Sequence, residues 1–324
     1  MTTVSVIIPA RNAAPWIRDA IRSIAAQTLS ACEIIVIDDA STDDTCSLVR
    51  QMQSNSPGLI LLQNPHPLGA GATRNVGIGR ATGDWLAFLD ADDWFAPERL
   101  QRLTELGEAR GANIVADNQY FTHGPEKAPF RTLIATGAGN LKTVDLEGFL
   151  RHDRVVAIGN LGLLKPIIRR NFLQPAGPRY DEDPAMKFGE DSLFYMSCLI
   201  SGEKILLTDE ALYFFRQHSA SLTHNMTVAS VRVLVAKSRA LLVGPGADPD
   251  TGLAQAIAQT IADQDDIVAY FELVELVRAR RWLMALRRLM SSRQRRLFLV
   301  RRGVQGLAGR LSQIVPQGSL SKRI

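Results

Sequence analysis

The sequence predicts an α/β protein with a mostly parallel central sheet flanked by helices. Short runs rich in Val, Ile and Leu alternate with helical patterns between Val4 and Asp93. This alternation is typical of parallel strands joined by right-handed crossovers. The apolar runs also lead into polar loops, and ligands bind such sheets at the carboxyl ends of the strands. With 324 residues, the chain is long enough to bury a large core.

Each element is predicted from its own pattern. Apolar runs of four or five residues are typical of strands buried on both faces, and isoleucines three to four residues apart indicate an amphipathic helix. The predicted strands are Val4–Ile8, Glu33–Ile37, Leu59–Leu62 and Trp85–Leu89. The predicted helices begin near Pro15, Thr45 and Gly69, where a proline, a capping hydroxyl and a glycine suit a helix start.

The second half of the chain is predicted to be irregular first and helical later. Loops at 124–139 and 174–189 contain much of the proline and glycine, and the pattern is helical from Thr227 onward. We therefore expect an α/β domain over residues 1–225 and a C-terminal helical region over residues 226–324.

Charge is distributed unevenly along the chain. There are 37 Lys and Arg against 33 Asp and Glu, a formal net charge of +4. The last 47 residues, Arg278 to Ile324, contain 13 Lys or Arg and no acidic residue, so the first 277 residues carry a net charge of −9. We call Arg278–Ile324 the basic tail. An acidic body with a basic tail suggests that the two parts have different partners.

Cysteine usage and hydropathy predict a cytoplasmic protein. Cys32, Cys46 and Cys198 are odd in number and have no CxxC spacing, which favours a reducing compartment. The first apolar run stops at Pro9 and is too short for a signal peptide. No window approaches 18 uninterrupted apolar residues, so no membrane-spanning segment is expected.

Acidic residues follow two of the predicted strands. Asp90, Asp92 and Asp93 lie in a turn after the fourth strand, and Asp39 follows the second. Two carboxylates two residues apart present hard oxygen ligands to Mg²⁺ or Mn²⁺. A carboxylate at the position of Asp39 can accept hydrogen bonds from a base or a ribose. Helix capping is the alternative, but it accounts for one Asp in the turn and not for three.

Four further residues are candidates for substrate chemistry, each with a structural alternative. Arg74 lies near a predicted helix start, where phosphate is favoured, although surface arginines are common. Glu190 and Asp191 open another helix, either as caps stabilised by the helix dipole or with a carboxylate that acts as general base. His218 follows a strand and is either structural or a ligand that completes a metal site.

Taken in order, these motifs resemble the inverting family 2 glycosyltransferases, which have the GT-A fold. The matching stretches are Val4–Asn12, Ile35–Asp43, Gly71–Gly77, Gly83–Asp93, Gly189–Asp191 and Tyr213–His218. The resemblance implies a GT-A catalytic domain over residues 1–225. Within the family, the chain is similar to bacterial exopolysaccharide enzymes of the succinoglycan type.

The resemblance implies a role for each matching residue. Asp191 would be the general base, with Glu190 beside the acceptor, and Asp92 and His218 would hold a divalent metal, Mg²⁺ or Mn²⁺. The residues implied to bind the nucleotide-sugar donor are Pro9, Ala10, Arg11, Asn12, Asp39, Arg74, Asp90 and Ala91. Many members have an aromatic residue where this chain has Arg11, and a guanidinium plane can also stack on a base.

The implied reaction is a single displacement at the anomeric carbon. Asp191 takes a proton from an acceptor hydroxyl, while a metal on Asp92 stabilises charge on the departing nucleoside diphosphate. The exopolysaccharide resemblance implies UDP-glucose as the donor and a sugar hydroxyl of a growing, lipid-linked bacterial polysaccharide as the acceptor.

The basic tail contains apolar residues at helical spacing, including Trp282, Leu286 and Leu289, with arginines on other faces. A basic amphipathic helix of this kind is typical of binding to an anionic membrane surface. Helices with a solvated arginine face, packed on the rest of the protein, are the alternative. Nucleic acid is not an expected partner, because the tail lacks aromatic stacking platforms. A lipid-linked acceptor would bring the enzyme to the inner face of the cytoplasmic membrane.

Two other functions compete with a transferase. A sugar-nucleotide pyrophosphorylase would need a Gly-rich basic loop after the first strand, and Pro9–Asn12 does not provide one. A catalytically silent protein of the same fold would serve as a binding or scaffold module, but all the carboxylates expected for catalysis are present.

Overall fold

The computed structural model describes residues 2–54, 56, 58–137, 139–152, 160–218, 227–243 and 251–290. These residues divide into two compact units. The first contains residues 2–218 and 233–260, and the second contains residues 227–232 and 261–290. The predicted domain boundary at 225–226 and the basic tail beyond residue 290 lie outside the described residues.

Within the described ranges, ten strands form one mixed sheet. They are β1 (Val4–Ala10), β2 (Glu33–Asp38), β3 (Leu59–Gln63), β4 (Trp85–Phe88), β5 (Trp94–Phe95), β6 (Ile114–Thr122), β7 (Arg131–Thr132), β8 (Leu141–Val144), β9 (Ile167–Arg169) and β10 (Ile205–Arg216). Their order is β3-β2-β1-β4-β9-β6-β10-β5, with β7 paired to β6 and β8 to β10.

The described residues also form ten α-helices. They are α1 (Ile17–Ala25), α2 (Thr45–Gln53), α3 (Ala70–Arg80), α4 (Arg99–Arg110), α5 (Leu146–His152), α6 (Arg170–Leu173), α7 (Glu190–Ile200), α8 (Val228–Val243), α9 (Gly252–Arg278) and α10 (Trp282–Met290). Among the described residues, no helix combines the length and the apolar character that crossing a bilayer requires.

The predicted parallel sheet is present in the first four strands. β1 lies parallel to both β2 and β4, and β2 lies parallel to β3. The rest is mixed, because β9 enters antiparallel between β4 and β6, while β6 and β10 are parallel. The sheet is therefore less uniformly parallel than the sequence predicts. Antiparallel pairs need no helical crossover, so this half lacks the regular strand–helix alternation of the first.

The core lies on both faces of the sheet. Side chains alternate along β1, so that Val6 and Ile8 pack toward α1, α2 and α4, whereas Ile7 packs toward α3, α5 and α7. Because β1, β2 and β4 are parallel and adjacent, their carboxyl ends open on the same edge. The loops after these strands contain most of the predicted site residues.

The second unit contains an ion-paired group of its own. Glu272 accepts hydrogen bonds from Arg232 at 2.6 Å and from Arg288. Trp282, Leu283, Met284 and Leu286 on α10 are each more than half exposed. The helix predicted at the start of the basic tail is thus present, with large apolar side chains on its surface.

Candidate active site

Four separate parts of the chain contribute to one polar cluster in the first unit. Asp90 follows β4, Arg74 lies on the buried side of α3, Lys165 precedes β9, and Glu190 and Asp191 open α7. We call these five residues the paired cluster, because ion pairs join all of them. Contacts between residues as far apart as 74 and 190 bring the sheet edge and the start of α7 together.

Two cations hold the three carboxylates of the paired cluster. Arg74 donates to Asp90 Oδ1 at 2.6 Å and to Glu190 Oε1 at 2.9 Å. Lys165 Nζ lies 3.0 Å from Asp90 Oδ2 and 2.5 Å from Asp191 Oδ2. Asp90 therefore has one oxygen on each cation, and Lys165 joins it to Asp191.

Because these ion pairs are buried, they strongly affect whether Asp90 and Lys165 are charged. The side chains of Arg74 and Lys165 are only 3% and 6% exposed. Burial opposes ionisation of Asp90, but Lys165 and Arg74 outweigh it and hold the pKa of Asp90 well below its usual range. Burial also opposes the charge of Lys165, but Asp191 and Asp90 raise its pKa above the usual value. Asp90 and Lys165 are thus both charged at neutral pH.

Asp191 has one oxygen held and one oxygen without a hydrogen bond. Its Oδ2 contacts Lys165, whereas Oδ1 has no hydrogen-bond partner among the described residues and lies 3.6 Å from Arg74 Nη1. Gly189, the residue before α7, adopts a left-handed conformation (φ 81°), which favours glycine. A carboxylate with one anchored and one unpartnered oxygen can accept a proton from a hydroxyl group that reaches it.

Asp92 and His218 form a second group, which we call the open pair. His218 Nε2 lies 2.8 Å from Asp92 Oδ2, and the imidazole stacks on Trp16 at a centroid distance of 4.2 Å. Burial and the charge of Asp90 raise the pKa of Asp92. Nδ1 of His218 is buried and has no hydrogen-bond partner among the described residues. The open pair is therefore short of positive charge.

The open pair fits a divalent cation in part. A carboxylate and an imidazole are both ligands that Mn²⁺ accepts, and a bound cation would relieve the electrostatic cost at Asp92. Among the described residues, no three His, Cys, Asp or Glu side chains are grouped closely enough to hold a metal by themselves. Any metal at this position would need further ligands, such as the phosphate oxygens of a substrate.

The third aspartate of the turn has a structural role. Asp93 is buried and accepts hydrogen bonds from the Tyr213 hydroxyl at 2.6 Å and from the backbone N–H of Arg216 at 2.7 Å. Burial and the charges of Asp92 and Asp90 raise its pKa. Asp93 does not cap a helix, because β5 follows it and α4 begins only at Arg99.

The loops after β1 and β2 contain the other predicted donor-binding residues. Asp39 accepts hydrogen bonds from the side chain of Asn64 and from the backbone N–H groups of Leu68 and Gly69, which lower its pKa although burial opposes this. Because Gly69 precedes α3, Asp39 connects the loop after β2 to the helix that contains Arg74.

The loop after β1 is joined to the loop after β2. Asn12 adopts a left-handed conformation (φ 50°), and its side-chain oxygen accepts a hydrogen bond from Thr42 N–H. Pro9 and Ala10 end β1 in register with Ile37 and Asp38. Arg11, Asn12 and Ala91 lie in the loops after β1 and β4. The residues predicted to bind the nucleotide-sugar donor thus lie near the carboxyl ends of the parallel strands. Their contacts with a nucleotide remain a prediction.

Sequence reasoning missed Lys165, which is central to the paired cluster. A lone lysine stands in the otherwise apolar run from Leu161 to Ile168, and this was the signal that could have revealed it. It also missed Arg216, which donates to the backbone carbonyl of Asp92 at 2.7 Å and to Asp19 at 2.8 Å. Arg216, the last residue of β10, thereby fixes the acidic turn that follows β4.

Sequence comparison finds a matching family and curated relatives of this chain. A family described as "Glycosyl transferase family 2" matches residues 5–156. The chain is 32% identical over 253 residues to "Succinoglycan biosynthesis protein ExoO" of Rhizobium meliloti (strain 1021), covering 78% of this chain and 70% of the relative. It is also 32% identical over 256 residues to "Succinoglycan biosynthesis protein ExoU" of the same strain, covering 78% and 73%.

Solved structures share the fold. S. aureus TarS 1–349 in complex with UDP-GlcNAc superposes with a TM-score of 0.60 at 19% identity, covering 85% of this chain and 73% of that chain. The mannosyltransferase PcManGT from Pyrobaculum calidifontis, in complex with GDP-Man and Mn²⁺, gives a TM-score of 0.55 at 18% identity, covering 92% and 83%. At this level of identity the likeness concerns the fold alone.

Proposed function

Because the chain belongs to glycosyl transferase family 2, we propose that it transfers glucose from UDP-glucose to a sugar hydroxyl of a growing, lipid-linked bacterial polysaccharide. The catalytic GT-A domain covers residues 1–225 in this proposal, followed by the helical region 226–324. The two succinoglycan relatives support a role in exopolysaccharide biosynthesis. The neighbour solved with UDP-GlcNAc supports a UDP-sugar as donor.

The observation that carries the proposal is Oδ1 of Asp191, a buried oxygen that accepts no hydrogen bond among the described residues. In this mechanism the acceptor hydroxyl gives its proton to Oδ1 as its oxygen forms a bond to the anomeric carbon. The bond from that carbon to the diphosphate oxygen breaks in the same step, with inversion, and the electron pair leaves on the nucleoside diphosphate. Lys165 holds the other oxygen of Asp191, and Glu190 lies beside it on the acceptor side.

The donor lies along the sheet edge in this proposal. The loop residues Pro9, Ala10, Arg11 and Asn12 line the base, together with Asp39. Asp90 and Ala91 lie near the ribose, and Arg74 near the diphosphate. The paired cluster supports this arrangement because Arg74 and Asp90 are fixed before any substrate binds, which reduces the entropy lost on binding.

Asp92 and His218 would hold a Mg²⁺ or Mn²⁺ ion. When bound, such an ion supplies a positive charge that stabilises the departing diphosphate. The raised pKa of Asp92 supports this assignment, since a carboxylate strained by its neighbours gains most from a nearby cation. PcManGT, a protein of the same fold, was solved with Mn²⁺.

We also propose that the basic tail, which includes α10, brings the enzyme to the anionic inner face of the cytoplasmic membrane. The exposed side chains of Trp282, Leu283, Met284 and Leu286 support this, together with a tail that has 13 basic residues and no acidic one. Sedimentation with vesicles containing anionic lipid, at physiological salt, tests the idea. Equal sedimentation with neutral vesicles would contradict it.

The enzymatic proposal is tested by release of nucleoside diphosphate from a panel of UDP-, GDP- and dTDP-hexoses in the presence of Mn²⁺. We expect UDP-glucose to be turned over, with water as a slow acceptor, and Asp191→Asn to abolish turnover while still binding UDP. Turnover at the wild-type rate in Asp191→Asn would remove Asp191 as the base. A protein that turns over none of the panel would be a silent scaffold, and one that forms UTP from UDP-glucose and pyrophosphate would be a pyrophosphorylase.

A further inference from the structure

Lys165 bridges the two carboxylates that the proposed function assigns to opposite ends of the reaction. Its Nζ lies 3.0 Å from Asp90 Oδ2, on the donor side, and 2.5 Å from Asp191 Oδ2, on the base. Arg74 also approaches both residues, but it lies 3.6 Å from Asp191 and donates instead to Glu190. Lys165 is therefore the cation in contact with the proposed base.

The backbone around Lys165 is held at three consecutive carbonyl groups. The carbonyl of Leu163 accepts a hydrogen bond from Gln119 at 2.6 Å, that of Leu164 from the Tyr195 hydroxyl at 2.6 Å, and that of Lys165 from Arg99. The donors come from β6, α7 and α4, so three elements fix this short segment.

Arg99, which donates to the backbone carbonyl of Lys165, is itself held in place. Arg99 is fully buried and forms hydrogen bonds to both carboxylate oxygens of Asp117, at 2.7 and 2.9 Å. Pro166 follows Lys165 and favours an extended backbone at it. Tyr195 lies on the same helix as Asp191, so α7 is connected to this segment both through a backbone carbonyl and through the lysine side chain.

We infer that Lys165 is a positioning residue: it holds Oδ2 of Asp191 and Oδ2 of Asp90 at fixed places, so that Oδ1 of Asp191 stays free for the acceptor hydroxyl. This inference rests on the proposed function. It explains why a lysine is buried in an apolar run, where its charge is costly unless it is paired. It also predicts that removing the charge affects the chemical step more than donor binding.

The test compares Lys165→Met with a matched control, Lys237→Met. Lys237 also bridges two carboxylates, Asp181 at 2.8 Å and Asp183 at 3.1 Å, in the same unit but outside the paired cluster. UDP release from the hexose donor that the wild type turns over fastest is measured with Mn²⁺, and UDP affinity is measured by calorimetry. We expect kcat to fall about 100-fold in Lys165→Met, with a smaller change in UDP affinity, and to be unchanged in Lys237→Met.

Two further readouts separate positioning from a structural role. The first is rescue: Lys165→Arg, which keeps a positive charge beside Asp191, should restore kcat toward the wild-type value. The second is the division between binding and chemistry: the KM for that donor should change less than kcat in Lys165→Met, because a positioning residue acts on the chemical step.

The outcomes are distinguishable. Wild-type kcat in a folded Lys165→Met would overturn the inference, as would a Lys165→Arg variant as slow as Lys165→Met. Should Lys165→Met not fold, Lys165→Gln, which is one atom shorter but keeps a hydrogen-bond donor without the charge, gives the same readouts. If Asp191→Asn is itself active, or the wild type releases no UDP, the proposed function fails and the inference fails with it.

Discussion

The paired cluster and the open pair are both built around the acidic turn after β4, yet they differ in electrostatic character. In the paired cluster, Asp90 has a cation on each oxygen and a pKa well below its usual range. In the open pair, the carboxylate of Asp92 lies beside the imidazole of His218, and its pKa is raised. Two carboxylates separated by one residue are thus shifted in opposite directions.

The opposite pKa shifts of Asp90 and Asp92 indicate which role each carboxylate is suited to. A carboxylate whose charge is already balanced contributes a fixed shape and hydrogen-bond acceptors, but gains little from a further cation. A carboxylate with unbalanced charge is prepared to bind one. The comparison therefore supports the proposal that Asp92, rather than Asp90, would bind the metal, on electrostatic grounds that the spacing of the motif does not supply.

The largest effect is expected when the paired cluster loses its central cation. Arg74→Met leaves Glu190 without its buried partner and Asp90 and Asp191 with Lys165 alone, and we expect it to lower the free energy of unfolding by about 3 to 5 kcal/mol. Urea denaturation at pH 7 measures this. Arg102→Met is the control, because the half-exposed pair of Arg102 with Glu210 should contribute less than about 1 kcal/mol. Equal losses would show that the paired cluster is not electrostatically special.

A smaller loss is expected for Asp90→Asn, of about 1.5 to 3 kcal/mol at pH 7, because two charge-assisted hydrogen bonds are weakened. The folded-state pKa of Asp90 is depressed, so its contribution is fully present above the unfolded pKa and is lost as the pH falls through the folded one. The loss should therefore be the same at pH 7 and at pH 5. A loss that shrinks steeply over this interval would contradict the assigned pKa direction.

The open pair should respond to its stacking partner. Trp16→Leu removes the ring on which His218 stacks, and we expect the affinity for Mn²⁺ in the presence of UDP to fall about tenfold, as it does when ligand-orienting contacts are lost. Calorimetric titration with Mn²⁺ measures this change. Phe271→Leu, in an edge-to-face contact with Tyr270 in the second unit, is the control and should leave the affinity for Mn²⁺ unchanged.

The smallest effect has the opposite sign. Without metal, Asp92→Asn should raise the free energy of unfolding at pH 7, by less than about 1 kcal/mol, since it removes a partly exposed carboxylate whose ionised form is disfavoured. Because the folded-state pKa of Asp92 is raised, the gain should shrink as the pH falls through that value. Thermal unfolding of wild type and variant from pH 7 to pH 4 is the measurement. A clear loss of stability at pH 7 would mean that Asp92 is already compensated.

The first four strands could be predicted from sequence because each depends on a local pattern. A run such as Val4–Ile8 is apolar throughout and ends at a proline, whatever the rest of the chain does. β9 could not be predicted in the same way, since its direction depends on pairing with both β4 and β6. β6 contains the buried polar residues Asp117, Asn118 and Gln119, which obscure its apolar character in the sequence.

The site residues were predictable singly but not as a network. Asp90, Asp92, Asp191 and His218 stand in recognisable motifs, and the structure brings Asp90 to Asp191 and Asp92 to His218. Lys165 belongs to no motif that was recognised, and its role depends on contacts with residues 75 positions earlier and 26 positions later. Local sequence contains no information about which carboxylate will have a cation beside it.

We propose that Asp92 in the open pair binds the metal and that Asp191 in the paired cluster acts as the base. The most direct test of these separate roles is UDP binding by calorimetry, with Mn²⁺ and with EDTA, in wild type, Asp92→Asn and Asp191→Asn. We predict that wild type and Asp191→Asn bind UDP with equal affinity and that this affinity depends on Mn²⁺ in both. Asp92→Asn should bind UDP weakly, with an affinity that does not depend on Mn²⁺. The reverse pattern, with Mn²⁺-dependent binding kept in Asp92→Asn and lost in Asp191→Asn, would contradict this prediction.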